Sequence, residues 1–405
     1  MSRMRSATLA KAGILTLVGF LGLLGAGPAP AAGPEWTSVD PPASPTALAP
    51  RLTSSGDDLL LSWLEEQADG GGHRFLVSRL DHDAFAAPEI IHESAAIFAN
   101  WVDVPGVAVL PAGGERVAWW LEHLEGAAHA YGVRLARSVG DGQPWTAGDW
   151  LHEDRSLVEH GFVSLVARSA RAFWLDGRDM STGGDSALLA RRLHRPDTRE
   201  IVLDPRVCEC CSTDAAFGHE GPIVAYRDRS DDEVRDIAVV RETGSGFSAP
   251  LIVHADGWEI HGCPVQGPAI DAGASTPAVV VAWLTAARDE PRVQVAFSHD
   301  SGRSFDPPIV VDSEDPIGRV SVSLENDGAA WVSWLARSDG AAKVTVAKVD
   351  AQAGVGPREI VGSTSAARAS GVPRLIRHRD SLWLTWIELS PSGDRRLRVS
   401  LRSHD

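Results

Sequence analysis

An aromatic residue recurs at the end of a short apolar run all along this chain, and its period restricts the folds open to the sequence. The runs end at Trp63, Trp120, Trp174, Tyr226, Trp283, Trp334 and Trp386, which lie 57, 54, 52, 57, 51 and 52 residues apart. From residue 50 onward apolar residues alternate with period two and break at Gly, Pro, Asp and Ser, so short strands are expected and no long amphipathic helix. A repeat of this length made only of short strands predicts an all-β fold, a β-propeller of four-stranded blades. The count predicts seven blades; a six-bladed ring with one inserted unit is the alternative. The last unit stops after its third strand, and Glu35 to Asp40 can supply the missing one, closing the ring with both chain ends and removing an open edge.

Residues 1–31 read as a secretory signal. Arg3, Arg5 and Lys11 precede an apolar run from Ala12 to Ala26, and Ala29-Pro30-Ala31 offers a cleavage site. That run is too short and too rich in Gly to favour a stable membrane span, and no later stretch is long enough. Residues 32–48 then read as linker and closing strand, and 49–405 as the propeller. The expectation is an exported protein, periplasmic or extracellular, in an oxidising compartment. With 54 acidic against 38 basic residues the formal charge is −16, which argues against a nucleic-acid partner. No H-E-x-x-H, G-x-S-x-G or phosphate-loop motif occurs.

Ser298-His-Asp300-Ser-Gly302-Arg-Ser-Phe305 resembles the Asp-box of sialidase-like propellers and bacterial neuraminidase repeats. The pattern has a local reason: a short acid binds turn amides, Gly permits positive φ, and the aromatic fills the space between strands. Degenerate copies follow other anchors, at Ser138, Gly142 and Trp145, at Glu242, Gly244 and Phe247, and at Ser78 and Phe85. In that family the box is scaffold, so the resemblance implies a fold rather than catalysis. It also implies what a sialidase needs: three arginines for the substrate carboxylate, a Tyr nucleophile with a Glu, and an acid. Arg51 and Arg374 stand in equivalent inner-strand places, but the chain has only Tyr131 and Tyr226, neither where the family's nucleophile is expected.

All four cysteines fall in two equivalent connections. Cys208, Cys210 and Cys211 lie between blades three and four, and Cys263, with His261, between blades four and five. Such connections open on one face and converge toward the channel, so Cys263 is expected near the triplet. Two disulfides are one reading, with Cys208–Cys211 and Cys210–Cys263 the least strained pairing. A thiolate site for copper or zinc is the other, with His261 and His219 close by in sequence; a thiol-disulfide redox role is a third.

The residue two beyond the anchor is acidic in five repeats: Glu65, Glu122, Asp176, Asp228 and Glu388. A carboxylate ring at a channel mouth would bind cations or sugar hydroxyls, or perform acid–base work, and solvated charge is the plain alternative. Three functional readings follow. The first is a sialidase-like propeller without the sialidase catalytic set, whose Cys208/Cys210/Cys211/Cys263/His261 face binds a small ligand or a metal. The second is a hydrolase of sialosides or other acidic sugars, in which Arg51, Arg227 and Arg374 hold the glycan carboxylate and Asp228 or Glu65 moves protons. The third is a protein-interaction platform with structural disulfides.

Overall fold

The computed structural model describes residues 35–403 apart from residue 112, residues 128–129 and residues 194–197; the segment read as a secretory signal lies outside them. The described residues form seven antiparallel sheets, with no α-helix. Blade one shows the plan: Ala47–Ser55, Asp58–Glu66, His73–Asp81 and Glu89–Ser94, paired in chain order from the axis outward. Blades two to six repeat it, starting at the innermost strands Gly106–Val109, His160–Val166, Asp214–Gly218, Ala269–Ala272 and Pro316–Leu324. Blade seven takes Arg374–His378, Ser381–Leu389 and Arg395–Ser403 from the C-terminal end, and Trp36–Val39 completes it, with Trp36 opposite Arg402 and Val39 opposite Val399. The count of seven therefore holds, no unit is an insertion, and the two chain ends close the ring. Among the described residues no helix is long and apolar enough to cross a membrane.

The central strands of each blade bury apolar side chains on both faces because each sheet is sandwiched between two others. The core is accordingly divided into seven clusters, each shared by two adjacent blades; one joins Trp63 of blade one to Trp383 and Val399 of blade seven. The seven anchor aromatics are all buried. A buried indole N–H or phenol O–H needs an acceptor, and six of the seven anchors donate to a buried carboxylate. Trp63 donates to Glu65 (2.9 Å), Trp120 to Glu122 (3.1 Å) and Trp174 to Asp176 (2.9 Å). In blades four to six the acid comes instead from the end of the preceding blade: Tyr226 donates to Asp204 (2.6 Å), Trp283 to Asp256 (2.7 Å) and Trp334 to Asp312 (2.7 Å). The Trp386 indole N–H has no partner among the described residues. The expected carboxylate ring is thus largely an internal set of anchor caps.

A second set of bonds closes the ring at the axis, where side chains on or beside the inner strands reach a neighbouring blade. The Thr53 hydroxyl donates to the Val107 carbonyl (2.9 Å), and Asp103 accepts from the Phe162 amide (2.6 Å). The Thr213 hydroxyl donates to the Phe162 carbonyl (2.7 Å), Asp214 accepts from Ile270 N–H (2.9 Å) and Asp271 from Leu324 N–H (2.8 Å). Ser321 accepts from Leu375 N–H (3.0 Å), and Ser54 meets the His378 ring (2.9 Å), so all seven junctions are bridged. Away from the axis, the Ser298–Phe305 turn uses its residues as their chemistry suggests. The Asp300 carboxylate accepts from the amides of Arg303 and Ser304 (both 2.9 Å), and Phe305 packs into the core between blades four and five. Gly302 has φ +77°, and a Cβ there would stand 2.6 Å from Ile223.

Two outcomes are expected. Trp334→Phe strands the buried Asp312 acceptor whereas Trp386→Phe removes no bond, so denaturant unfolding of the first should show a loss about 1–3 kcal/mol greater than the second. Burial pushes the Asp103 carboxyl up to about 7 from 3.8, although the Phe162 amide and Arg51 oppose it. The folded chain therefore holds a proton that the unfolded chain has lost, and this group's contribution to stability falls as pH rises from about 4 to about 7. Asp103→Asn, which can still accept from Phe162, should be more stable than the parent by more than about 1 kcal/mol at pH 8, with the gain fading toward pH 4; an equal gain at both pH values would refute it.

Candidate functional site

Connections between blades and the turns between second and third strands open on one face, and in blade four they are zipped together. The turn after Gly221–Arg227 runs from Asp228 to Asp236. On one side Cys208 N–H donates to the Arg227 carbonyl (3.0 Å) and Val207 bridges Asp228. On the other, Arg235 N–H donates to the Trp258 carbonyl, Ile260 N–H to the Glu233 carbonyl, and the Asp236 carboxylate caps the amides of Gly257 and Trp258. Both cysteine connections are therefore laced to one hairpin by backbone bonds, which is why they meet.

Arg227 locks the arrangement. Its guanidinium donates to the carbonyls of Gln266 (2.9 Å), Arg235 (2.6 Å) and Leu284 (2.8 Å) and lies over the Trp258 ring at 4.7 Å. A guanidinium so engaged, and 1 % exposed, has no fork left for a substrate carboxylate. Glu65 is spent in the same way: it accepts from the Trp63 indole, the Ser44 amide (2.7 Å) and Arg74 (3.1 Å). The sequence offered these two residues to a hydrolase; in the fold their polar atoms are engaged in framework bonds. Asp228 lies at the base of the hairpin, its N–H donating to the Asp236 carbonyl (2.9 Å), and burial pushes its carboxyl up to about 6.

The cysteine triplet comes together. The sulfurs of Cys208 and Cys211 are 3.1 Å apart, those of Cys208 and Cys210 3.8 Å, and all three lie within 4.8 Å of one another. Cys208 and Cys211 are buried, Cys210 is half-buried and Cys263 is exposed; all four are free thiols. The Cys263 thiol donates to Glu209 Oε1 at 3.6 Å, so the expected approach of Cys263 to the triplet loop holds, but its sulfur stands outside the three-sulfur group. His261 also stays outside, exposed and beside Glu259 at 3.4 Å. His219 lies in the turn joining the first two strands of blade four, at the other end of the blade.

The electrostatics favour one thiolate among three thiols. Hydrogen bonding with the Cys210 and Cys211 thiols pulls Cys208 far below the usual thiol range, helped by the charge of Arg227. Bonding to Cys208 pushes Cys210 up, and burial does the same to Cys211. Arg235 adds a buried cation. Its guanidinium lies 3.3 Å from the Cys208 sulfur, 3.3 Å from Glu209 and 2.8 Å from Glu233. Three soft sulfurs with a compensating cation at one side could hold a soft metal ion.

A second polar group lines the channel. Arg51 and Arg374, on the innermost strands of blades one and seven, face Asp103 and Asp214, and the Nε of each is buried without a hydrogen-bond partner among the described residues. Burial lowers the Arg51 guanidinium to about 9, aided by the like charge of Arg374. Close by, the Tyr131 hydroxyl donates to Glu159 at 3.3 Å. A Cβ on Gly161 would meet both Asp103 and the Tyr131 ring, so that glycine makes the room in which they approach. Sequence reasoning placed Arg51 and Arg374 but missed Asp103 and Asp214; acids recurring on inner strands at the blade period, as Asp214 and Asp271 do, were the available signal.

No protein-family model matches this sequence, and no curated protein does. Solved structures match it across nearly its whole length. A protein of unknown function from Dyadobacter fermentans aligns with TM-score 0.51 and 12% identity, covering 92% of this chain and 98% of its own. The phage phi92 endosialidase aligns at 0.50 and 10%, covering 92% and 69%, and the polysaccharide lyase Uly1 at 0.50 and 7%, covering 88% and 90%. At such identities the likeness is one of fold alone: this chain is a seven-bladed β-propeller.

Proposed function

We propose that this protein is an exported propeller that binds a soft metal ion, Cu(I), through the thiolates of Cys208, Cys210 and Cys211. The observation that carries the reading is the approach of three free sulfurs within 4.8 Å of one another. Thiolates select Cu(I) and Zn(II). A structural zinc site takes four protein ligands, and this cluster presents three, with His261 and Cys263 outside it. Three thiolates on Cu(I) carry two net negative charges, which the buried guanidiniums of Arg235, 3.3 Å from the Cys208 sulfur, and Arg227 offset. Export rests on Arg3, Arg5, Lys11 and the apolar run after them. The Asp300 turn and its degenerate copies support descent from Asp-box repeats. A second reading, an acidic-sugar hydrolase, is favoured by the unpartnered Nε atoms of Arg51 and Arg374 in the channel.

Anaerobic titration against a colorimetric Cu(I) chelator should show one Cu(I) per chain, not displaced by Zn(II). Cys208→Ser should abolish uptake, and Arg235→Gln should weaken affinity about tenfold. A reduced, folded chain that takes up no Cu(I) would overturn the first reading. For the second, an aryl sialoside should release its fluorophore with the parent and not with Arg374→Ala; absence of turnover on acidic glycosides by the parent removes that reading.

A further inference from the structure

The sulfurs of the two connections form a graded series. Cys263 is exposed, Cys210 is half-buried, and Cys208 and Cys211 are each 1 % exposed. Cys263 is carried by blade four's exit and the other three by its entrance; its thiol bonds Glu209, which lies between Cys208 and Cys210, at 3.6 Å and also hydrogen-bonds Cys210. The opposite wall of the cage is closed. Arg235 is buried there against the Cys208 sulfur, and Arg229 and Arg235 both clamp Glu233, at 2.6 Å and 2.8 Å. Among the described residues, the sulfurs open to solvent are therefore those of Cys263 and, behind it, Cys210.

A soft ion held by buried thiolates gains little by travelling as a free aquo ion; it moves by exchange from one sulfur to the next. We propose that Cys263 is the receiving ligand, which accepts Cu(I) from a thiol-bearing carrier and passes it through Cys210 to the buried pair. This rests on the Cu(I) reading above. In the first exchange the bond from copper to the carrier sulfur breaks as the bond to Cys263 forms, and the Cys263 proton leaves on the carrier's sulfur. In the second, copper bonds Cys210 and releases Cys263, which takes up the proton Cys210 gives up. In the third, copper keeps Cys210 and bonds Cys208 and Cys211, whose thiol protons pass to solvent; copper stays Cu(I) throughout, so no oxidant or reductant is consumed. The arrangement explains why a fourth cysteine approaches the cage from another loop without joining it.

The test measures both the rate and the equilibrium of loading from a Cu(I)–glutathione complex, using reduced full chain. Cys263→Ser should load at least about tenfold more slowly, with affinity changed by less than about threefold, while Cys208→Ser loses affinity. Selective alkylation of the exposed Cys263 in the parent should slow loading equally, separating loss of the thiol from any folding defect. Loading at the parental rate after either change overturns the proposal. So does a Cys263→Ser affinity as poor as that of Cys208→Ser, since Cys263 would then be a cage ligand. A parent chain that takes up no Cu(I) at all fails differently, by removing the metal reading on which the proposal stands.

Discussion

The structure depends on side chains of one blade satisfying groups in the next. A propeller has no single core, only seven interfaces that must all form for the ring to close. Apolar burial drives each interface without specifying its angle. Direction comes from the bonds at the axis, where Asp103, Asp214 and Asp271 accept amides of the following blade, and from anchors such as Trp283 and Trp334 that donate to the blade before. Leaving one of these buried groups unpaired costs more than the bond itself contributes, so a wrongly registered blade is penalised twice.

The same economy builds the candidate metal centre. The cysteine loops lack regular structure of their own, and a buried loop must find partners for its backbone. Here those partners are the edges of the Asp228–Asp236 hairpin and the three donors of Arg227. The sulfurs converge because the loops that carry them are bonded to that one hairpin. Arg235, emerging from the hairpin, then joins Arg227 as a buried cation that makes a thiolate at Cys208 tolerable there. The channel arginines differ: Arg51 and Arg374 keep unpartnered nitrogens in a setting whose nearby acids are held by backbone amides.

How much of this was legible depends on the range of the interaction. Strand positions, the seven-fold count and the closing strand could be read because alternation and the anchor spacing are properties of short windows repeated along the chain. The confinement of Cys208, Cys210, Cys211 and Cys263 to equivalent connections could be read for the same reason, and with it the face on which they meet. The acids two beyond the anchors were visible too, but their use was not. Glu65, Glu122 and Asp176 bind their own blade's indole, while Asp228 and Glu388, at the same offset, do not, because in blade four the preceding blade supplies Asp204 and in blade seven the Trp386 indole goes unpaired.

Arg227 marks the boundary most sharply. By spacing it was a candidate for a substrate carboxylate; in the fold its donors go to three backbone carbonyls drawn from segments up to 57 residues away. The sequence by itself determined the architecture and the neighbourhood of the cysteines, since both follow from local pattern and its period. Only the tertiary structure decided which charged groups are framework and which remain available, because a polar side chain's partner is chosen by what the adjacent blade presents across the interface, and no single repeat contains that information.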